Sequence, residues 1–302
     1  MKVAILVQCH KNPGQINRLL KAMEHKNVEF FLHIDLKSII EKDIAKRKNV
    51  HILPERLRVN VTWGGYSQVE ATLHLLRYAN KHGDFDFYWL ISGQDFLLKP
   101  MEEALEFLET HRQYNFVSLA KSRHYGIGHE NNLDKRNAVY VPSWMISRRS
   151  IPLILIKRLY IEITGGYNRT FLIFRRKNVT GLEFYFGSSW NCLNRETVSW
   201  ILNYLSCHKE YEEFFKNCIC PDESFFQTLI MNSPFKEKRK DILTYIDWSE
   251  GKKSPKTLTT TDFYNMIESG YYLARKLDEE IDSQLIDLLE NYIGDIQKKH
   301  GK

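Results

Sequence analysis

The sequence predicts an α/β fold, a doubly wound and mostly parallel sheet flanked by helices, and three observations predict it. Short apolar runs of strand length alternate with stretches of helical period, and that alternation builds parallel sheets through crossover helices. Turn and capping residues punctuate each junction: Pro13 and Gly14 after the first run, Ser38 after the second, the WGG of residues 63–65 before the longest amphipathic stretch. The chain has 302 residues, 43% of them hydrophobic, enough for one large α/β domain with a substantial core.

In chain order, residues 2–7 (KVAILV) read as a buried strand, and the turn CHKNPG leads into a helix through Arg18, Leu19, Leu20 and Met23. Val28–Ile34 is a second strand ending on Asp35. Ser38 is placed to cap a helix running to about Arg47, followed by a short strand at Val50–Leu53 and an amphipathic helix from about Gln68 to Lys81. Phe85–Ser92 is a long apolar strand that runs into GQDFLLKP, after which Met101–His111 reads as helix and Asn115–Leu119 as strand. Residues 1–120 therefore form a nucleotide-binding half, because open sheets of this kind bind ligands beyond the carboxyl ends of their strands, where Asp35, Trp63 and Asp95 fall. Residues 121–302 form the other half of what is a single catalytic domain overall, ending in a charged helix to about Lys298.

Composition narrows the partners. The formal net charge of +6 favours anionic ligands or an anionic membrane surface, and no groove-reading or single-strand-stacking motif points to nucleic acid. The basic segment 145–177, with the apolar run IPLILI inside it, is suited to peripheral membrane contact or to packing as a solvated helix. Cys9, Cys192, Cys207, Cys218 and Cys220 form an odd set without CxxC spacing, so a reducing, cytoplasmic setting is expected and zinc is not. The first apolar run is too short for a signal segment or a membrane span. Aromatic residues make up 13% of the chain, and their flat faces can stack on sugar rings as well as fill a core.

Six segments carry a resemblance: WGGYSQVEATLHLL, YWLISGQDFLLKP, GSSWNCLNRETV, PDESFFQTLIMNSP, YIDW and FYNMIESGYYLARKLD. In the same order and at similar spacing they resemble segments of the core-2/I-branching N-acetylglucosaminyltransferases and, more closely, the peptide O-xylosyltransferases of glycosyltransferase family 14. Together they span positions 63 to 278. The resemblance implies a GT-A-like, Rossmann-type fold and an inverting enzyme that uses a UDP-sugar donor (N-acetylglucosamine or xylose), needs no metal or other cofactor, and acts on a glycan or lipid-linked saccharide acceptor. A cytoplasmic, bacterial-type member building surface polysaccharide at the inner face of the membrane fits the scarcity of cysteines.

Inverting transfer to a hydroxyl requires one base near the anomeric carbon. By the resemblance that base is Glu223, expected in the first turn of a helix started by Pro221 and Asp222; alone, it reads equally well as an acid favoured by a helix dipole. The strand after YWLIS ends in Gln94-Asp95-Phe96, without a second acid spaced for a metal, so cations must take the leaving diphosphate. Arg275 and Lys276 match the family's phosphate-binding residues, and Lys253 stands where the branching enzymes carry an arginine. By the resemblance Asp35 matches a uracil-contacting segment and Val7 lies where the base would pack, though either could instead be core or cap, and Trp63 with its glycines borders the nucleotide. Asp95 is expected to orient the donor sugar or a neighbouring basic side chain. Trp190 and Trp248 are expected to stack on the acceptor or to pack in the core, and Ser189 replaces the acid of the family's GSDW pattern. Two alternatives stay open: an inactive UDP-sugar-binding protein and a metal-dependent GT-A transferase.

Overall fold

A computed structural model describes residues 1–120, 137, 139–141, 146, 151–163, 176–252 and 254–300. A seven-stranded sheet runs in the order β3-β2-β1-β4-β7-β6-β8. Its strands are β1 Val3–Cys9, β2 Val28–Ile34, β3 Val50–Ile52, β4 Phe87–Ser92, β6 Asn115–Val117, β7 Asn191–Asn194 and β8 Arg239–Lys240. The first four in spatial order are mutually parallel, and β7 then runs antiparallel to both β4 and β6. A three-stranded sheet, β5-β10-β9, is built from β5 Asp95–Leu97, β9 Thr244–Ile246 and β10 Leu273–Arg275.

The doubly wound arrangement follows from the period of two along each strand. In β1, Val3, Ile5, Val7 and Cys9 face one core, which α1 (Pro13–Ala22), α3 (Met101–Thr110) and the C-terminal helix Ser283–His300 cover with Ile16, Leu19, Leu20, Leu285 and Leu289. Ala4 and Leu6 face the other core, covered by α2 (Ser67–His82) and the helices Arg195–Cys207 and Phe225–Met231. Each fully buried aliphatic side chain contributes about 1.5–3 kcal/mol, so a sheet apolar on both faces holds only when helices flank it on both.

The two halves read from the sequence are interleaved: β7 and β8, from beyond residue 120, complete the sheet begun by β1 to β4, and β10 pairs with β5. Between Ser38 and Arg47 there is only a single helical turn, Ile40–Asp43, where a helix is expected. No residue of that turn is buried, and Ser38 Oγ donates to the His10 carbonyl at 2.8 Å while accepting the Ile40 amide at 3.4 Å. Only Ile40 and Ile44 reach the core from this segment, a small tertiary gain to set against the cost of helix nucleation.

Most of segment 145–177 lies outside the described residues, but the helix Ile151–Ile163 within it is described. Leu155, Ile156, Leu159 and Ile163 are exposed on that helix. Among the described residues no helix is long and apolar enough to cross a membrane.

Candidate active site

A cavity of about 760 Å³ opens where β1, β2 and β4 end, with Gln8 to Lys11, Asp35 and Ser92 to Gln94 on that wall. Ligand sites of doubly wound sheets form there because adjacent crossovers leave in opposite directions and part the loops, here between β1 and β4. The remaining walls come from Trp63, Ser188 to Trp190, Asp222, Glu223, Trp248, Arg275 and Lys276. Of the residues expected at the site, Asp35, Trp63, Trp190, Glu223, Trp248, Arg275 and Lys276 therefore share one cavity.

Arg275 is 8% exposed at the end of β10, directly opposite Asp95 in the antiparallel pair of β10 with β5. Asp95 is fully buried; its carboxylate accepts hydrogen bonds from the Ser92 amide and hydroxyl, both at 2.9 Å. Arg275 Nε lies 3.6 Å from Asp95 Oδ1, an ion pair rather than a hydrogen bond, and the guanidinium is 4.0 Å from the Trp190 ring centroid. Arg275 Nε and Nη1 are buried without a hydrogen-bond partner among the described residues. Burial drives the pKa of Arg275 down against the pull of Asp95, and burial raises that of Asp95 against Arg275 and the Ser92 bonds. A buried guanidinium with unmet donors is costly to hold in the folded state.

Asp95 and Trp190 each match the second of the two roles expected of them, beside a basic side chain and against the core. Asp95 does not line the cavity and so does not touch a ligand there; its neighbour is the guanidinium. Trp190 turns one ring face to Arg275, and that face is closed to a sugar.

Lys276 lines the cavity beside Arg275, its ammonium held below the usual lysine range by burial, then by Lys11 and Arg275, with Asp278 opposing. Lys11 Nζ lies 2.5 Å from Asp278 Oδ2. His10, also at the cavity, is lowered by burial, which outweighs Asp35. His33 behind it is pushed down to about 4 by burial and accepts the Val59 amide on Nε2 at 2.9 Å. Its neutral ring is thus held as the Nδ1–H tautomer.

Glu223 closes a short turn, Pro221–Glu223, that precedes the helix Phe225–Met231 rather than opening it. Ser224, at φ −136, separates the two, while Phe225 and Phe226 anchor the helix in the core as the sequence suggests. The turn is entered through Cys220 at φ 48, whose amide bonds the Gly64 carbonyl at 2.9 Å. Gly64 itself has φ +72, a left-handed conformation that favours glycine. This contact ties the loop of Trp63 to the loop of Glu223. From the other side, the Gly187 amide donates to the Glu223 carbonyl at 2.8 Å, and Ser189 Oγ donates to Asp222 Oδ2 at 2.6 Å.

Asp35 caps its own loop, accepting the Lys37 amide at 3.0 Å and pairing with Lys37 Nζ at 2.9 Å. Trp63 and Trp248, 55% and 46% exposed, present indoles to the opening. Val7 is a correction: it faces the core between Leu32 and Ile91 and does not line the cavity, because strand alternation turns its neighbour Gln8 to the cavity side and Val7 to the core. Lys253 lies outside the described residues. Sequence reasoning missed Gln8, His10, Lys11 and Gln94; the signal that could have found them is their position just past the ends of β1 and β4. Among the described residues, no group of three or more His, Cys, Asp or Glu could hold a metal ion.

Fold and cavity together define an α/β protein whose strand-end cavity is lined by Lys11, Arg275 and Lys276 and by the carboxyl-bearing Asp222 and Glu223. The chain belongs to the core-2/I-branching enzyme family, whose model matches residues 3–268. It is 27% identical to beta-glucuronosyltransferase GlcAT14B of Arabidopsis thaliana, over 94% of this chain and 66% of that one. To human xylosyltransferase 1 it is 22% identical, over 97% of this chain and 30% of the relative. The chain thus spans less than two thirds of either relative's length. Among solved structures, the apo form of mouse xyloside xylosyltransferase 1 aligns over 91% of this chain and 97% of that one, at 10% identity and a TM-score of 0.39.

Proposed function

We propose that this chain is an inverting glycosyltransferase that moves a sugar from a UDP-sugar to an acceptor hydroxyl without a metal ion. Glu223 takes the acceptor's hydroxyl proton as its oxygen bonds to the anomeric carbon. The bond from that carbon to the β-phosphate oxygen breaks on the opposite face, and its electron pair leaves on UDP. Arg275 and Lys276 receive the growing charge on the diphosphate, the role a metal fills elsewhere. Asp35 and Trp63 border the nucleoside, Trp248 the acceptor, and Asp95 with Trp190 sets the Arg275 guanidinium.

The observation that carries this reading is the presence of Glu223, Arg275 and Lys276 around one cavity. Family membership supports sugar transfer, and the relatives' names bring xylose and glucuronate beside N-acetylglucosamine as donor sugars. The test is UDP release from a panel of these three UDP-sugars with saccharide acceptors, with the product anomer read by NMR. Transfer with inversion that persists in EDTA is expected. Loss of turnover in EDTA restored by manganese would favour the metal-dependent alternative, and UDP binding without turnover on any acceptor the inactive binder.

We also propose that the helix Ile151–Ile163 rests on an anionic membrane surface. At 100° per residue, exposed Leu155, Ile156, Leu159 and Ile163 fall within an arc of about 100°, with exposed Glu162 and then Arg158 along one side of it. Co-sedimentation with anionic vesicles, lost in a Leu155→Asp/Leu159→Asp variant, is expected; equal retention by that variant would overturn it.

A further inference from the structure

The cation that the donor reading leaves unused is Lys11. It follows β1 by two residues, lines the cavity, and reaches its ammonium to Asp278 Oδ2 at 2.5 Å with the side chain still 33% exposed. Asp278 sits two residues past Lys276 and is 6% exposed. Its other oxygen accepts from Asn12 Nδ2 at 2.7 Å, and Gln94 Nε2 donates to Oδ2 at 3.2 Å. Donors from the loop after β1 and the turn after β4 thus converge on one carboxylate of the C-terminal segment.

We propose that Lys11 is a third cation for the donor's diphosphate, supplied by the first half of the chain and aimed by Asp278. This rests on the nucleoside-diphosphate reading above. An ammonium has three N–H donors in a rotatable head, and Asp278 is the only hydrogen-bond partner of Lys11 among the described residues. Two donors remain for phosphate oxygens. Asp278, by contrast, has both oxygens engaged from inside the protein, so it holds the lysine in place and offers little to a ligand.

The placement also explains why like charges are gathered. Lys11 and Arg275 both depress Lys276, after burial, so the cavity wall holds ammonium and guanidinium groups against their mutual repulsion. A diphosphate spreads its charge over several oxygens and can meet all three cations at once. Lys11 and Lys276 make point contacts that tolerate the movement of a departing group, whereas Arg275 is fixed between Asp95 and Trp190.

The alternative is a structural clasp between the Lys11 loop and the Asp278 segment, and the two differ in what Lys11→Met does. Titration of wild type, Lys11→Met, Lys11→Arg and Lys276→Met with UDP and with uridine, at low and high salt, separates them. We expect Lys11→Met to weaken UDP by about tenfold, roughly 1.4 kcal/mol, with uridine affinity unchanged and a shallower salt dependence. Lys11→Arg should recover part of the loss. A fall in UDP and uridine affinity by the same factor, with a lowered melting temperature, would mark a clasp and overturn the proposal. So would normal UDP affinity in Lys11→Met while Lys276→Met is impaired, which would leave the donor reading standing. Absence of UDP binding in the wild type would remove the donor reading itself, and Lys11's role with it.

Discussion

Glu223→Gln is expected to lower the rate of transfer by between roughly a hundred- and ten-thousandfold while leaving UDP affinity near that of the wild type. The range is the usual contribution of a positioned general base. Glutamine keeps the shape and the backbone bonds of the turn, the Gly187 amide to the Glu223 carbonyl and the Glu223 amide to the Cys220 carbonyl at 3.1 Å, while replacing the carboxylate with an amide that cannot take the proton. Initial rates of UDP release with and without acceptor, paired with calorimetric UDP titration, check it. Equal turnover in the two proteins would remove Glu223 from the mechanism and leave the cation cluster without a partner reaction.

Gly187→Ala is expected to unfold or severely destabilise the protein, at a cost of about 3 kcal/mol or more, the upper end for overpacking in a close-packed interior. A Cβ at this position would lie 1.8 Å from the Ser118 carbonyl oxygen and 2.7 Å from its carbon. Both atoms are backbone at the end of β6, so no side chain can swing aside. Residues 186 and 187 are held on two sides, by the Ala120 amide on the Phe186 carbonyl at 2.8 Å and by the Gly187 bond to Glu223. Any shift that admits the methyl group therefore displaces either the sheet edge or the base. Denaturant unfolding measures the loss; a midpoint within error of wild type would mean the close approach is absent in solution.

Gly187 also illustrates what could and could not be read from the sequence. The parallel strands and α2 were legible because their apolar residues keep period two or 3.6, and because the long helix buries a stripe, Val69, Leu73 and Leu76 among it. The helix expected after Ser38 does not form because a cap has little effect where only two side chains, Ile40 and Ile44, reach the core. Val7 was misassigned by one step of strand alternation: the neighbouring Gln8 reaches the cavity while Val7 faces the core. Motif resemblance brought out Glu223, Arg275, Lys276 and the tryptophans, since those residues lie within continuous segments. It could not reveal that Trp190 covers Arg275, or that Asp95 pairs with it, because both contacts join segments far apart in the chain. Nor could it show Lys11, whose role depends on Asp278, 267 positions away.

The pairing of β10 with β5 has a consequence for how the protein is made. Residues 95–97 leave the ribosome long before 273–275, yet each is the other's hydrogen-bonded neighbour. A nascent chain stopped short of residue 273 already contains every strand of the parallel core, the indole at 190 and the acid at 223, but lacks the guanidinium that neutralises Asp95. The strand at 273–275 is thus the one that fits the charge, and until it has emerged the growing polypeptide lacks the guanidinium of the cation cluster proposed above.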